Sequence, residues 1–192
     1  ASFFFIIKGS HIFNLFLIVC FFIACFEWYK MSQKKKYHLS GYAFLIFSFY
    51  CAFGLRNKFY DESLIYFLFV IIVCISTDIG GYLFGKIFKG PRLTKISPKK
   101  TYSGMVGGYI LSTIIILTLI NYTHLLDYNY SYSLLNTVLS LTLISTISQI
   151  GDVIISFFKR ESKLKDTGNI IPGHGGLLDR IDGMIFVFPF VF

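Results

Sequence analysis

The sequence predicts an all-α, polytopic integral membrane protein, a bundle of about six transmembrane helices with a polar active site at one membrane face. Of its 192 residues, 55% are hydrophobic and only 15% are charged. The hydrophobic residues form runs that approach the roughly 20 residues needed to cross a hydrocarbon core of about 30 Å. The charged residues cluster between those runs. This composition argues against an ordinary soluble domain.

The apolar runs give the order of the helices. The predicted spans are 11–28, 40–55, 63–85, 104–125 and 133–157, with a sixth that begins near residue 178. We expect residues 1–62 to supply N-terminal transmembrane helices and residues 63–192 to form the membrane region that carries the polar motifs. The final ten residues would make about 15 Å of helix and residue 1 is not Met, so both ends are expected to be incomplete.

Basic residues alternate between the connections that join the spans. The second connection balances its charges and the fourth has no Lys or Arg. The cations of the first, third and fifth connections are Lys30, Lys34, Lys35, Lys36, Lys86, Lys89, Arg92, Lys95, Lys99, Lys100, Lys159, Arg160, Lys163 and Lys165. The positive-inside rule places these three connections in the cytoplasm. The net charge of +8 is therefore read as a membrane signal, with no nucleic acid as partner.

One segment, from Ser156 to Asp182, concentrates both charge signs in an otherwise apolar chain. Lys159, Arg160 and Lys165 accompany the carboxylates of Asp166 and Asp179. Cationic side chains suit phosphates, and carboxylates suit the hard divalent cation that accompanies them. The segment therefore predicts a site for a charged ligand.

Three carboxylates are the candidate metal ligands. Asp152 lies near the end of an apolar helix, where an ionised carboxylate costs roughly 2.5–3.5 kcal/mol on insertion scales. It either pairs with Lys159 or Arg160 at the interface or binds a metal. Asp179 and Asp182 are three residues apart and so share one helix face, a spacing that suits a shared Mg²⁺ but is also common on solvated helices.

Glycines surround His174 in the order Pro172-Gly173-His174-Gly175-Gly176. Glycine lets the backbone approach a ligand closely, so His174 could bind phosphate, donate a proton or cap a helix. No strand precedes these glycines, and the loop is therefore neither a Rossmann nor a Walker loop.

A second polar patch runs from Asp78 to Gly104. Asp78 lies deep in an apolar helix, and the nearby Gly80, Gly81 and Gly85 favour close helix packing. The remaining candidates in this patch are Lys86, Ser97, Lys99 and Lys100. The patch is either a basic loop that meets anionic lipid or part of the site formed with the Ser156–Asp182 segment on the same membrane face.

These residues resemble the phosphatidate cytidylyltransferase, or CDP-diacylglycerol synthase, family. Its signature is similar to S-x-x-K-R-x4-K-D-x-G-x2-I-P-G-H-G-G-x-x-D-R-x-D, which the chain matches from Ser156 to Asp182. The upstream pattern D-x-G-x-Y-x-x-G-K begins at Asp78, and S-P-K-K-T begins at Ser97. The resemblance covers residues 63–192, with further support at Glu27-Trp28.

The resemblance implies that CTP and phosphatidate react to give CDP-diacylglycerol and pyrophosphate, with Mg²⁺ and with or without a second cation. It makes Asp152 and Asp179 the metal ligands, with Asp182 in support. Lys159 and Asp166 complete the implied catalytic set. The implied substrate-binding residues are Ser156, Arg160, Lys165, His174, Gly175, Gly176, Arg180, Asp78, Lys86, Ser97, Lys99 and Lys100.

The implied setting is a multi-pass protein of a bacterial inner membrane, with its active site facing the cytoplasm. Its partners would be CTP, phosphatidate and membrane lipids, and a homodimer is compatible with the resemblance. Two alternatives stay open. One is a CTP-dependent transferase for another membrane lipid. The other is an ion or proton transporter that uses Asp78 and Asp152 as an intramembrane relay.

Overall fold

The chain folds as a bundle of helices. A computed structural model describes residues 10–57, 63–94, 96–123, 133–170 and 175–192. The helices are α1 (Ser10–Ser32), α2 (His38–Asn57), α3 (Ser63–Phe88), α4 (Tyr102–Thr123), α5 (Leu134–Glu161), α6 (Leu178–Ile181) and α7 (Met184–Val191). The described residues contain one isolated β-bridge and no strand. The predicted all-α class is confirmed.

Five of these helices are long and apolar enough to cross a membrane within the described ranges. They are α1 to α5, the five complete spans that the sequence predicts, and they make the chain a multi-pass membrane protein. The sixth segment begins at Leu178, near the predicted position, but it forms two short helices of 4 and 8 residues. The division of the chain at residue 62 stays a prediction.

Helices α3 and α4 form the most extensive pair in the bundle. A side chain at Gly80 would run into the backbone carbonyl of Gly107, and one at Gly104 would run into the carbonyl of Gly81. Small residues let helix backbones approach closely in a membrane, where packing rather than burial from water holds helices together. The close packing expected at Gly80 and Gly81 is confirmed, and it fixes the helix that carries Asp78.

Polar contacts tie these helices to α5 within the apolar bundle. The hydroxyl oxygens of Thr77 on α3 and Ser145 on α5 lie 2.7 Å apart in the buried interior. The hydroxyl oxygens of Tyr109 on α4 and Thr146 on α5 similarly lie 3.0 Å apart. In an apolar medium such hydroxyls need partners, so these pairs help to set the register of α5 against its neighbours.

Two contacts show which helix ends share a face of the bundle. Lys35, just after α1, forms an ion pair of 3.3 Å with Glu161 at the end of α5. At the other end, Asn57 of α2 donates a hydrogen bond of 3.2 Å to Asn14 of α1. The first and fifth connections therefore lie together, and Lys100 brings the third connection to α5 as described below.

A buried apolar cluster anchors α6 and α7 beneath these basic connections. Trp28 of α1, Leu45 of α2 and Ile155 of α5 pack there with Leu178 and Ile185. Leu178 is fully buried and Ile185 nearly so. Because α6 and α7 are short, this packing rather than helix propensity holds them in place.

Pro189 lies inside α7 and cannot donate a backbone hydrogen bond to the carbonyl of Ile185, four residues earlier. Ser48 of α2 supplies the missing donor, because its hydroxyl donates a buried hydrogen bond of 2.6 Å to that carbonyl. The contact satisfies a backbone acceptor that the proline would otherwise leave unpaired.

Ser48→Ala is therefore expected to destabilise the protein by about 1–3 kcal/mol, the cost of leaving a buried acceptor without a partner. Unfolding in detergent micelles measures the change. Ser40→Ala is the matched control, because that exposed hydroxyl of α2 donates to the carbonyl of Tyr37 at 2.9 Å. Equal stability of the two variants would contradict the role of Ser48.

Candidate active site

Three carboxylates from separate segments meet near the basic face of the bundle. Asp78 comes from α3, Asp152 from α5 and Asp182 from the turn between α6 and α7; we call them the acidic cluster. Burial raises the pKa of Asp182 well above its ordinary value, and the neighbouring Asp152 and Asp78 raise it further. The fold therefore holds like charges together, as functional sites often do.

Lys100 forms an ion pair with this cluster. Its ammonium group lies 2.9 Å from Oδ2 of Asp152, and both side chains are largely buried. The connection between α3 and α4 presents Lys100 through backbone hydrogen bonds from Leu93 to the carbonyl of Lys100 (2.8 Å) and from Lys100 to that of Ser97 (3.0 Å). Asp152 thus has an ion-pair partner in Lys100, whereas the interfacial alternative paired it with Lys159 or Arg160.

The second oxygen of Asp152 lies beside the carboxyl group of Asp182. Oδ1 of Asp152 and the hydroxyl of Ser148 are buried, and within the described structure neither has a hydrogen-bond partner. A side chain at Gly183 would touch both groups, so they face the same small space beside Asp182. An orphaned carboxylate oxygen and a hydroxyl are suitable donors for a hard cation.

No group of three or more His, Cys, Asp or Glu residues is arranged as a metal site in the described part of the chain. The donors near Asp152 fit a cation that phosphate oxygens of a ligand would also hold, as Mg²⁺ commonly is held. A site completed in this way does not require a preformed cage of protein ligands.

Asp179 has a different environment from the acidic cluster. Its Oδ1 accepts a hydrogen bond of 2.6 Å from Lys159, in a pair whose side chains are 12% and 9% exposed. Its Oδ2 accepts hydrogen bonds from the amides of Thr167 (2.8 Å) and Gly176 (3.1 Å). Burial would raise the pKa of Asp179, but the bonds from Lys159, Thr167 and Gly176 outweigh it and lower the pKa.

Lys159 connects the two environments. It pairs with Asp179 and also lowers the pKa of Asp182 through its charge, against the larger effects of burial and Asp152 that raise it. The structure groups Asp152 with Asp182, whereas both oxygens of Asp179 already have protein donors. Joint metal binding by Asp152 and Asp179 stays a prediction.

The other predicted residues are spread over the same face. Ser156 and Ser97 are half-buried, Gly175 has a positive φ of 85° and Gly176 is buried. The guanidinium of Arg160 donates to the carbonyl of Leu164 at 3.3 Å. His174 lies outside the described residues. The side chains that are exposed to solvent or lipid are Asp78, Lys86, Lys99, Arg160, Lys165, Asp166 and Arg180.

Glu27 and Thr167 were not among the predicted site residues. Glu27 is completely buried and accepts hydrogen bonds from Thr167, Leu177 and Leu178. The sequence did contain a signal that Glu27 is a candidate site residue. Glu27 is the only acidic residue among the first 60 and lies near the end of an otherwise apolar run. The sequence showed no signal of this kind at Thr167.

The classification of the chain follows from comparison with known protein families. The model of the cytidylyltransferase family matches residues 40–192. The chain belongs to this family. The cytidylyltransferase match includes the acidic cluster, Lys159 and Asp179, whereas Glu27 lies before it. The resemblance noted in the sequence is confirmed.

Relatives in this family carry a more specific name, phosphatidate cytidylyltransferase. The protein of that name from Staphylococcus saprophyticus is 37% identical over 165 residues, which cover 84% of this chain and 62% of the relative. The one from Staphylococcus aureus strain COL is 38% identical over 167 residues, with the same shares. The one from Rickettsia bellii is 39% identical over 171 residues, covering 86% of this chain and 72% of the relative. The chain thus spans less than two thirds of the staphylococcal relatives' length.

Proposed function

We propose that the chain acts in a cytidylyltransferase that condenses CTP with phosphatidate to give CDP-diacylglycerol and pyrophosphate. One observation carries the proposal from the structure: Asp78, Asp152 and Asp182 lie close enough to interact, beside Lys100 and near Lys159, within the residues that the family model matches. The names of the relatives support the choice of both substrates.

The reaction needs no covalent intermediate on the protein. A phosphate oxygen of phosphatidate attacks the α-phosphorus of CTP, the bond from that phosphorus to the β-bridging oxygen breaks, and pyrophosphate leaves with the electron pair. Both reactants are anionic and repel one another, so catalysis depends on positioning the reactants and neutralising their charge. Lys100 and Lys159 are placed to supply positive charge once they exchange their carboxylates for phosphate oxygens.

A divalent cation, proposed to be Mg²⁺, would bind to Asp152 and Asp182, with Asp179 joining when Lys159 releases it. The buried Oδ1 of Asp152, for which the described residues supply no hydrogen-bond partner, supports this assignment. When bound, the cation would neutralise phosphate charge and help to align the attack. Metal analysis of the purified protein counts the cations that bind.

The proposed location is the cytoplasmic face of a bacterial inner membrane. The basic connections that share this face support the orientation, and the bacterial relatives support the compartment. This placement would let a water-soluble nucleotide meet a lipid headgroup beside Lys100. Formation of a homodimer stays a prediction.

Two other functions remain as outcomes of a test. A transferase for another membrane lipid would share the CTP chemistry. A transporter would need polar groups along the whole membrane path, whereas the acidic cluster lies towards one face. Neither alternative gains support from the names of the relatives.

The proposal is tested by incubating the purified protein with labelled CTP, phosphatidate and Mg²⁺, each omitted in turn. We expect lipid-linked CMP only when all three are present, and its loss on chelation of Mg²⁺. Replacing phosphatidate by a polyprenyl phosphate tests the lipid class. No labelled lipid with phosphatidate, in a preparation that unfolds cooperatively, would contradict the proposed function.

A further inference from the structure

Glu27 is a buried carboxylate, and the three described groups that donate hydrogen bonds to it belong to the segment from Thr167 to the first residue of α6. Its Oε1 accepts the amide of Leu177 at 2.9 Å, and its Oε2 accepts the amide of Leu178 at 2.8 Å and the hydroxyl of Thr167 at 2.8 Å. The side chain is 0% exposed. A buried carboxylate is tolerated when hydrogen-bond donors surround it. These hydrogen bonds therefore hold the segment against α1.

Thr167 stands between Glu27 and Asp179. Its hydroxyl lies 2.8 Å from Oε2 of Glu27 and 3.0 Å from Oδ2 of Asp179. A hydroxyl carries a single hydrogen and can donate it to one acceptor at a time. The two carboxylates therefore compete for this hydrogen, and any change at Glu27 alters how Asp179 is held.

Two glycines pack closely against the carboxylate of Glu27. A side chain at Gly168 or at Gly176 would run into Glu27, and Gly176 also donates its amide to Asp179 at 3.1 Å. The need for a small residue at Gly176 is thus explained by contact with Glu27, in addition to any room that it leaves for a nucleotide.

We infer that Glu27 is a positioning residue of the transferase site: it fixes Thr167 and the start of α6, so that Asp179 presents Oδ1 to Lys159 beside the acidic cluster. This role rests on the proposed function. Glu27 acts through Thr167, Gly176 and the amides at the start of α6.

Glu27→Gln in the full chain tests the inference. The amide keeps one acceptor oxygen but turns an N–H₂ donor towards groups that are themselves donors. We expect kcat to fall by about 10–100-fold, the range seen when outer-shell partners of a site are removed, while KM for CTP changes by less than about threefold. Glu161→Gln is the matched control on α5, because its partner Lys35 lies outside this network, and it should keep wild-type kinetics.

Thr167→Val is the second variant, since it removes only the shared hydroxyl and keeps the side-chain shape. It should reduce kcat in the same way as Glu27→Gln. Thr142→Val is its control, because that hydroxyl donates to the carbonyl of Val138 within α5 at 2.8 Å. If Glu27→Gln and Thr167→Val lowered the melting temperature but kept wild-type kcat, Glu27 would be structural and the inference would be overturned.

Amide hydrogen exchange separates this inference from the proposed function. The amides of Leu177 and Leu178 should exchange slowly in the wild-type protein and faster in Glu27→Gln, whichever reaction the protein catalyses. Unchanged exchange would show that Glu27 does not hold α6, and would overturn the inference even in an active enzyme. If exchange changed as expected but wild type formed no lipid-linked CMP, the proposed function would fail, and with it the kinetic role of Glu27.

Discussion

Asp182→Asn is expected to lose turnover by about a thousandfold, or about 4 kcal/mol of transition-state stabilisation, a loss typical of removing a charge that helps to hold a catalytic cation. Asparagine keeps the size of the side chain and the oxygen that accepts the amide of Gly183 at 3.1 Å. The measurement is kcat/KM for CTP at saturating phosphatidate. Near wild-type kcat/KM would remove Asp182 from the site.

The same variant should melt at a higher temperature than wild type in the presence of EDTA. Burial and the charges of Asp152 and Asp78 raise the pKa of Asp182 in the folded state, so its ionised form destabilises the fold. The stability of the protonated form is fully present below the unfolded pKa and is lost as the pH rises through the raised folded pKa. The gain from Asp182→Asn should therefore appear at neutral pH and disappear in acid.

Combining Asp152→Asn with Asp182→Asn provides a further check. Residues that act as a unit give non-additive losses, so the double variant should turn over little more slowly than either single variant. Losses that multiply would show that Asp152 and Asp182 serve separate functions, against the acidic cluster as one site.

Lys159→Ala is expected to impair both folding and catalysis. The pair of Lys159 with Asp179 is buried, and removing one partner of a buried ion pair costs about 3–5 kcal/mol because the other charge is left unpaired. Lys159→Ala should also remove a charge-assisted hydrogen bond to a phosphate, which contributes about 1.5–3 kcal/mol. This loss corresponds to a decrease in kcat/KM for CTP of about 10–100-fold. Denaturant unfolding and steady-state kinetics measure the two effects.

Arg160→Ala is the comparison for this variant. Arg160 is exposed and donates only a long bond of 3.3 Å to the carbonyl of Leu164 among the contacts described for it, so its removal should leave stability within about 0.5 kcal/mol of wild type. The two neighbouring cations look alike in the sequence, and the structure separates them by burial. A wild-type melting temperature for Lys159→Ala would contradict the buried pair.

The five long helices could be predicted because an apolar run long enough to cross a membrane has few other structures available to it. Their ends were less predictable. Helix α1 continues to Ser32 and α5 to Glu161, beyond the predicted ends at 28 and 157, because charged side chains near a span end reach the interface without ending the helix. The division of the last segment at Asp182-Gly183 has no counterpart in its hydrophobic pattern.

The candidate site residues could be proposed from the sequence, whereas the contacts that group Asp152 with Asp182 could not. Asp152 meets Asp182 because α5 crosses the α6–α7 turn at Gly151, where a side chain would run into Phe186 and the carbonyl of Asp182. A crossing of this kind depends on tertiary packing and leaves no spacing signal in the sequence. The contact of Glu27 with Leu178 joins residues 151 positions apart, which is equally hidden from local patterns.

Transfer of the labelled α-phosphorus of CTP to lipid, followed across a Mg²⁺ titration in wild type and in Asp152→Asn, tests the central claim most directly. The acidic cluster predicts that wild-type transfer rises with Mg²⁺ to saturation, while label on the γ-phosphorus stays in water-soluble pyrophosphate. Asp152→Asn should insert and purify normally and remain near background at every Mg²⁺ concentration. Most of the wild-type transfer rate in Asp152→Asn at saturating Mg²⁺ would make Asp152 a structural partner of Lys100 and contradict the proposed site.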